Sequence, residues 1–278
     1  MKDYRFLRFP SFRDKALTLS YDDGVVFDKK LIEIMDKFSL KGTFNINSEL
    51  FALKEGERRL TKQQAYDLYA NSNHEVALHG AKHLSLASVS TEDANRDVLV
   101  DKINLEKTFN RRIRGMAYAY GSYNDTVVEI LKKHGVKYAR TVIATGRFDI
   151  PTDWLRLETT CHHTDKKLFE YVDNFLYDSV ASEKQPKLFY LWGHSYEFND
   201  FDNWDIIERF GQKLGNRSDI WYATNIEVFD YVKAFDNLVW NNDQNQVYNP
   251  SDIDVYLEVL GQKVLVPAGR TVKMNFNN

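Results

Sequence analysis

Between Ala16 and Phe235 the chain repeats one pattern seven times: a short apolar run, then a stretch with apolar residues at helical spacing. The runs are ALTLS (Ala16–Ser20), GTFNIN (Gly42–Asn47), HEVAL (His74–Leu78), GMAYA (Gly115–Ala119), KYARTV (Lys137–Val142), LFYLW (Leu188–Trp192) and IWYAT (Ile220–Thr224). Each is too short for a helix of its own and reads as a strand. The stretches between them carry sets such as Leu31, Ile34, Met35 and Phe38, or Ile206, Ile207, Phe210 and Leu214, one apolar face each. Thr61 is placed to cap a helix start, Gly135 to stop one, and Thr224 with Glu227 has the spacing of a capping box. Repeated strand-then-helix units require a parallel sheet covered by helices, and seven of them are enough for closure into a barrel. Ile143 to His163 breaks the pattern and reads as irregular.

After Phe235 the texture changes. The polar stretch NNDQNQ leads into residues 247–274, which alternate with period two and carry turn signals at Asn249-Pro250, Leu260-Gly261 and Ala268-Gly269. The expectation is a domain over 1–235 and a small β-rich extension over 236–278, too short to hold a large core alone. Composition narrows the partners. A net charge of −3 gives no electrostatic footprint for nucleic acid or an anionic membrane. No run approaches the roughly 18 apolar residues of a membrane span. The first fifteen residues hold no apolar h-region and Cys161 is the only cysteine, so a cytoplasmic location is expected. Oligomeric state is left open.

Polar residues cluster where the apolar runs end. Asp22 and Asp23 follow the first run, His79 and His83 the third, Tyr120 and Gly121 the fourth, and His194 the sixth. In a parallel α/β barrel all these ends lie on one face, the face on which such folds build active sites. A carboxylate with two imidazoles is a usual three-ligand set for a catalytic divalent metal. Gly80 follows His79, so the pair is not the HExxH of a zincin helix.

In combination and order these stretches carry a resemblance. TLSYDDG resembles the first motif of the polysaccharide deacetylases (carbohydrate esterase family 4, the NodB-homology domain), HEVALHGAKH the second, MAYAYG the third and LFYLWGH the last. It spans roughly Lys15 to Ala234 and implies a distorted (β/α)7-type barrel. Carried over, it makes Asp23, His79 and His83 the metal ligands, Asp22 the general base, His194 the general acid and the backbone N–H of Tyr120 part of the oxyanion site. The implied activity is metal-dependent hydrolysis of N- or O-acetyl groups from a carbohydrate, with zinc the expected metal and cobalt, nickel or manganese as alternatives. Rival readings are an amide hydrolase of the deformylase or cyclic-ureide type, and a silent sugar-binding module.

The match departs from the family at three points. Gly80 stands where the second motif has Ser or Thr, and Ala117 where the third has the Arg that orients the base. The fourth motif, an Asp-Trp pair supporting the acid, is only echoed by Asp149, Asp153 and Trp154. Arg140, Arg147 and Arg156 are candidates to replace the missing cation. Tyr118, Trp154, His162, His163 and Trp192 are candidates to contact substrate. His74 and His134 are expected to be structural, and Cys161 is not expected to be a nucleophile.

Overall fold

The computed structural model describes residues 5–177 and 185–274. In chain order the first half comprises β1 (Arg5–Arg8), β2 (Lys15–Asp22), α1 (Asp28–Lys37), β3 (Gly42–Ile46), α2 (Lys62–Tyr69), β4 (Glu75–Leu78), α3 (Thr91–Phe109), β5 (Gly115–Ala117), α4 (Asp125–Lys133) and β6 (Tyr138–Ala144). Then follow β7 (Leu157–Thr159), β8 (Cys161–His162), α5 (Leu168–Tyr177), β9 (Lys187–Gly193), α6 (Ser195–Asp200), α7 (Asp205–Leu214), β10 (Ile220–Tyr222) and α8 (Asn225–Asp236). The chain ends in β11 (Val239–Trp240), β12 (Gln246–Tyr248), β13 (Val255–Val259), β14 (Gln262–Val266) and β15 (Thr271–Lys273).

Nine strands form one parallel sheet in the order β7-β6-β5-β4-β3-β2-β9-β8, with β10 paired to the start of β2. The seven apolar runs correspond to β2, β3, β4, β5, β6, β9 and β10. The two added strands come from the stretch expected to be irregular. They are separated only by Thr160, whose N–H donates to Tyr190 O (3.0 Å) and whose carbonyl accepts from Gly146 N–H (2.9 Å). One short stretch thus pairs first with β6 and then with β9, and carries the strand path from one edge of the sheet round to the other.

Period-two alternation explains why β2 is buried on both faces. Leu17, Leu19 and Tyr21 join the main apolar core with Leu31 and Met35 of α1 and Phe44 of β3. The intervening Thr18 and Ser20 carry short hydroxyls, and each finds a buried partner: Thr18 donates to Asn225 Oδ1 (2.8 Å) and Ser20 accepts from Asn45 Nδ2 (2.8 Å). Asp22 ends this polar file. The capping boxes at Thr61 and Thr224 are formed, and His74 is buried, its Nδ1 accepting from Gly42 N–H.

The chain's end forms two three-stranded antiparallel sheets, β1-β13-β14 and β11-β12-β15. The range expected for the first domain therefore contributes β1 to a sheet built otherwise from the extension. Val247, Leu257, Val259 and Val266 form a small core there, and the Tyr231 hydroxyl of α8 ties the two parts by donating to Arg8 O and accepting from Tyr256 N–H. Residues 1–4 and 275–278, the outer ends of the two expected ranges, lie outside the described residues. No helix among the described residues is long and apolar enough to cross a membrane.

Candidate active site

Because the nine strands run the same way, the residues at their C-terminal ends converge. At the end of β2 the backbone turns through two successive left-handed conformations, Asp23 at φ 84° and Gly24 at φ 64°. The turn separates the adjacent carboxylates. Asp22 points inward and is 2 % exposed, while Asp23 faces His83, with Oδ1 3.8 Å from His83 Nε2. Arg59 also donates to Asp23 Oδ1, at 3.0 Å. Asp23 is an aspartate with φ > 0, a conformation that costs energy and is retained where surrounding structure enforces it.

Asp23, His79 and His83 each present one ligand atom, and these atoms lie within 4.8 Å of one another. His79 Nδ1 is 2.9 Å from Ala117 O. That contact fixes the ring and leaves Nε2 as the ligating nitrogen, the usual outer-shell arrangement of a metal-bound histidine. Burial pushes His83 down to about 4, so its ring is neutral near pH 7. The donor set therefore fits a divalent metal of the zinc type. Beneath it, Asp101 of α3 accepts from His79 N–H (3.0 Å) and Ser48 N–H (2.9 Å) and anchors the loop from inside.

Gly80, the first departure, has a local cause. It adopts φ 79°, and a Cβ there would stand 2.5 Å from Asp97 Oδ2. The Asp97 carboxylate of α3 takes up that space and accepts from Lys82 N–H at 2.9 Å. The loop is braced from a neighbouring helix instead of by a hydroxyl of its own.

The second departure has a counterpart one strand away. Arg140 of β6 is the register partner of Ala117 of β5, so the guanidinium starts from the same row of the sheet. It is fully buried, donates to Asp22 Oδ2, and lies over the Trp192 ring at 4.4 Å. Asn45 Nδ2 donates to the other carboxylate oxygen at 2.8 Å. Burial alone would raise Asp22. Arg140, with smaller contributions from His79 and His194, outweighs it and holds the carboxyl at about 2. Arg147 pairs instead with Asp149, and Arg156 with Asp125 and Asp153.

His194 opens α6, with Nε2 3.9 Å from Asp22 Oδ2 and Nδ1 3.4 Å from Glu197 Oε2. Burial lowers its pKa, but Glu197 and Asp22 more than compensate, and the net shift is upward. Ser195 Oγ donates to the buried Asp28 and ties α6 to α1. Glu197 occupies the supporting position for which the sequence offered Asp149 or Asp153. Its spacing, three residues after His194, was the signal that could have revealed it.

The candidate substrate residues divide. Trp192 and His162 are half-buried at the strand ends, their rings 4.5 Å apart. Tyr118, Trp154 and His163 are buried. The Tyr118 hydroxyl donates to Leu155 O, and Trp154 packs edge-on against Phe229 of α8. Tyr120 is different: at φ 58° and 71 % exposed, its ring stands at the rim, 4.5 Å from His83. Cys161 is buried, which pushes its thiol well up and makes it a poor nucleophile.

Comparison with known proteins bears on the fold that carries these residues. Residues 10–139 match the family model for polysaccharide deacetylase. That stretch, just under half of the chain, is similar to the polysaccharide deacetylase family. Among solved structures, the chain resembles a candidate polysaccharide deacetylase from Mycobacterium smegmatis, at 16% identity and TM-score 0.61, over 83% of this chain and 94% of that one. It also resembles a family 4 carbohydrate esterase from Streptomyces lividans in complex with acetate, at 13% identity and TM-score 0.51, over 76% and 93%. At such identities the likeness is one of fold. The chain spans about half, 55%, of the Streptococcus pyogenes deacetylase PplD, matched at 23% identity and TM-score 0.42 over 45% of this chain. None of the curated proteins matches the sequence.

Proposed function

We propose that the protein removes N- or O-acetyl groups from a carbohydrate by metal-dependent hydrolysis. One observation carries the reading: Asp22, buried and charge-paired with Arg140, stands beside the Asp23–His79–His83 set and within 3.9 Å of His194. A binding module has no use for a buried carboxylate held ionised between a ligand set and a histidine. Zinc or a similar divalent metal held by Asp23, His79 and His83 supplies, when bound, Lewis-acid polarisation of an acetyl carbonyl and a more acidic water. Asp22 stays ionised throughout the working pH range and accepts a proton from the attacking water as the new C–O bond forms. Asn45 and Arg140 keep its two oxygens oriented. The Tyr120 N–H is the backbone donor for the developing oxyanion. As the bond from the acetyl carbon to the sugar nitrogen or oxygen breaks, His194 Nε2 gives its proton to the departing atom. Glu197 at Nδ1 favours the protonated ring until that moment. Tyr120 and Trp192 at the rim are the aromatic surfaces offered to a sugar.

The test is acetate release from acetylated oligosaccharides by the purified protein, with and without chelator. Asp22→Asn should lower turnover by about 10²–10⁴-fold, the usual contribution of a positioned base, while bound metal, measured directly, is unchanged. Release of formate instead of acetate would favour an amide hydrolase of the deformylase type. Sugar binding with no product under any metal would leave only the silent module.

A further inference from the structure

A second group of ligating side chains lies outside the set described above. His162 at the end of β8, His163 beside it and Glu197 in the first turn of α6 bring two imidazole nitrogens and a carboxylate oxygen within 4.8 Å of one another. We propose that these three residues form a second binding site for a divalent cation of the zinc class. It shares no ligand with the Asp23–His79–His83 set, and an ion there would engage the Glu197 oxygen that otherwise faces His194 Nδ1.

The spacing is that of ligands around one ion. His162 Nε2 and His163 Nε2 are each 3.2 Å from Glu197 Oε2. Ligands held about 2.0–2.1 Å from a tetrahedral zinc stand about 3.3 Å from each other. His163 provides the second, independent sign. Its side chain is 1 % exposed, and neither ring nitrogen has a hydrogen-bond partner among the described residues. A buried imidazole that makes no hydrogen bond of good geometry is costly, and a cation between Nε2 and the Glu197 oxygen 3.2 Å away would relieve that cost at Nε2.

The ring is also held so that it cannot turn away. It packs against both Tyr21 at 5.8 Å and Phe198 at 4.1 Å, and it lies against Gly193, where a Cβ would come within 1.9 Å of Nδ1. His162 is held from its far side, where Nδ1 accepts from Thr164 N–H at 3.2 Å and lies 2.7 Å from Thr164 Oγ1, while Nε2 faces Glu197. Two imidazoles and a carboxylate leave a fourth position for water.

The experiment is a zinc titration of the chelator-treated full chain by calorimetry, with metal analysis after dialysis. The wild type should take two equivalents. His162→Ala, at a half-buried position, and Glu197→Gln, which keeps the side-chain shape, should each take one. The double variant Asp23→Asn/His83→Ala should also take one, the other one. Thermal melts establish that each variant is folded before it is titrated. Two wild-type equivalents that survive both His162→Ala and Glu197→Gln would overturn the proposal. So would no binding at all, or a single wild-type equivalent that is abolished by Asp23→Asn/His83→Ala and untouched by His162→Ala. A single equivalent lost in His162→Ala but kept in Asp23→Asn/His83→Ala would support the second site and sink the metal centre of the proposed hydrolase.

Discussion

Arg140→Met replaces the buried guanidinium with a side chain of similar length and no charge, and the structure fixes what should follow. Asp22 keeps its burial and Asn45 but loses the cation that chiefly offsets its desolvation. Breaking a buried ion pair from one side costs about 3–5 kcal/mol. An independent route gives a compatible size: lowering a carboxyl from 3.8 to about 2 stabilises the folded state by roughly 2–3 kcal/mol at 1.36 kcal/mol per pKa unit. In the parent that contribution is complete above 3.8 and is lost as pH falls towards 2. In the variant, burial raises the carboxyl, so its ionised form costs stability above the raised value and the penalty lifts on acidification. The two stability curves should lie furthest apart near pH 7 and converge only as pH falls below about 2. Urea unfolding in chelator, which keeps metal out of the comparison, measures this directly. The double variant Asp22→Asn/Arg140→Met removes both charges and should lose less than the two single variants added together, by about 1–3 kcal/mol. A loss below about 1 kcal/mol at pH 7, a gap that does not change with pH, or strict additivity would each refute the reasoning.

Three further outcomes follow from the same geometry. Glu197→Gln withdraws the chief support of the raised His194, so the alkaline limb of kcat/KM should move to lower pH, read from a pH–rate profile. Gly80→Ala forces a side chain into a φ of 79° and against Asp97. It should destabilise by about 1–3 kcal/mol and weaken zinc binding, measured by urea unfolding and calorimetry. Chelation should lower the melting temperature of a zinc-loaded sample, because ligand at a hundredfold excess over Kd stabilises by about 2.7 kcal/mol; identical melts with and without chelator would mean the folded protein holds no metal.

What was legible in the sequence and what was not separates along one physical line. Strands such as β2, β3 and β9 announce themselves because both faces are buried, and their apolar runs end where chain direction changes. The paired strands β7 and β8 do not. Glu158, Thr159, Thr160 and His162 have no apolar alternation, and they become strands only through distant partners on β6 and β9. The strand β1 is hidden for the same reason, its partner lying some 250 residues away. The site divides likewise. Asp22, Asp23, His79, His83 and His194 are readable because each sits at the end of a recognisable run. The groups that hold them are constrained only by distance in space, and any element that reaches the right point can supply them. Arg140 comes from the strand next to Ala117 in the same register row, Asp97 from a helix across from Gly80, and Glu197 from the turn after His194. Each apparent loss in the motif is matched by a gain that no linear pattern would register. A missing motif residue is therefore weak evidence for a lost activity until the neighbouring strand in its row, and the helix packed against its loop, have been read as well.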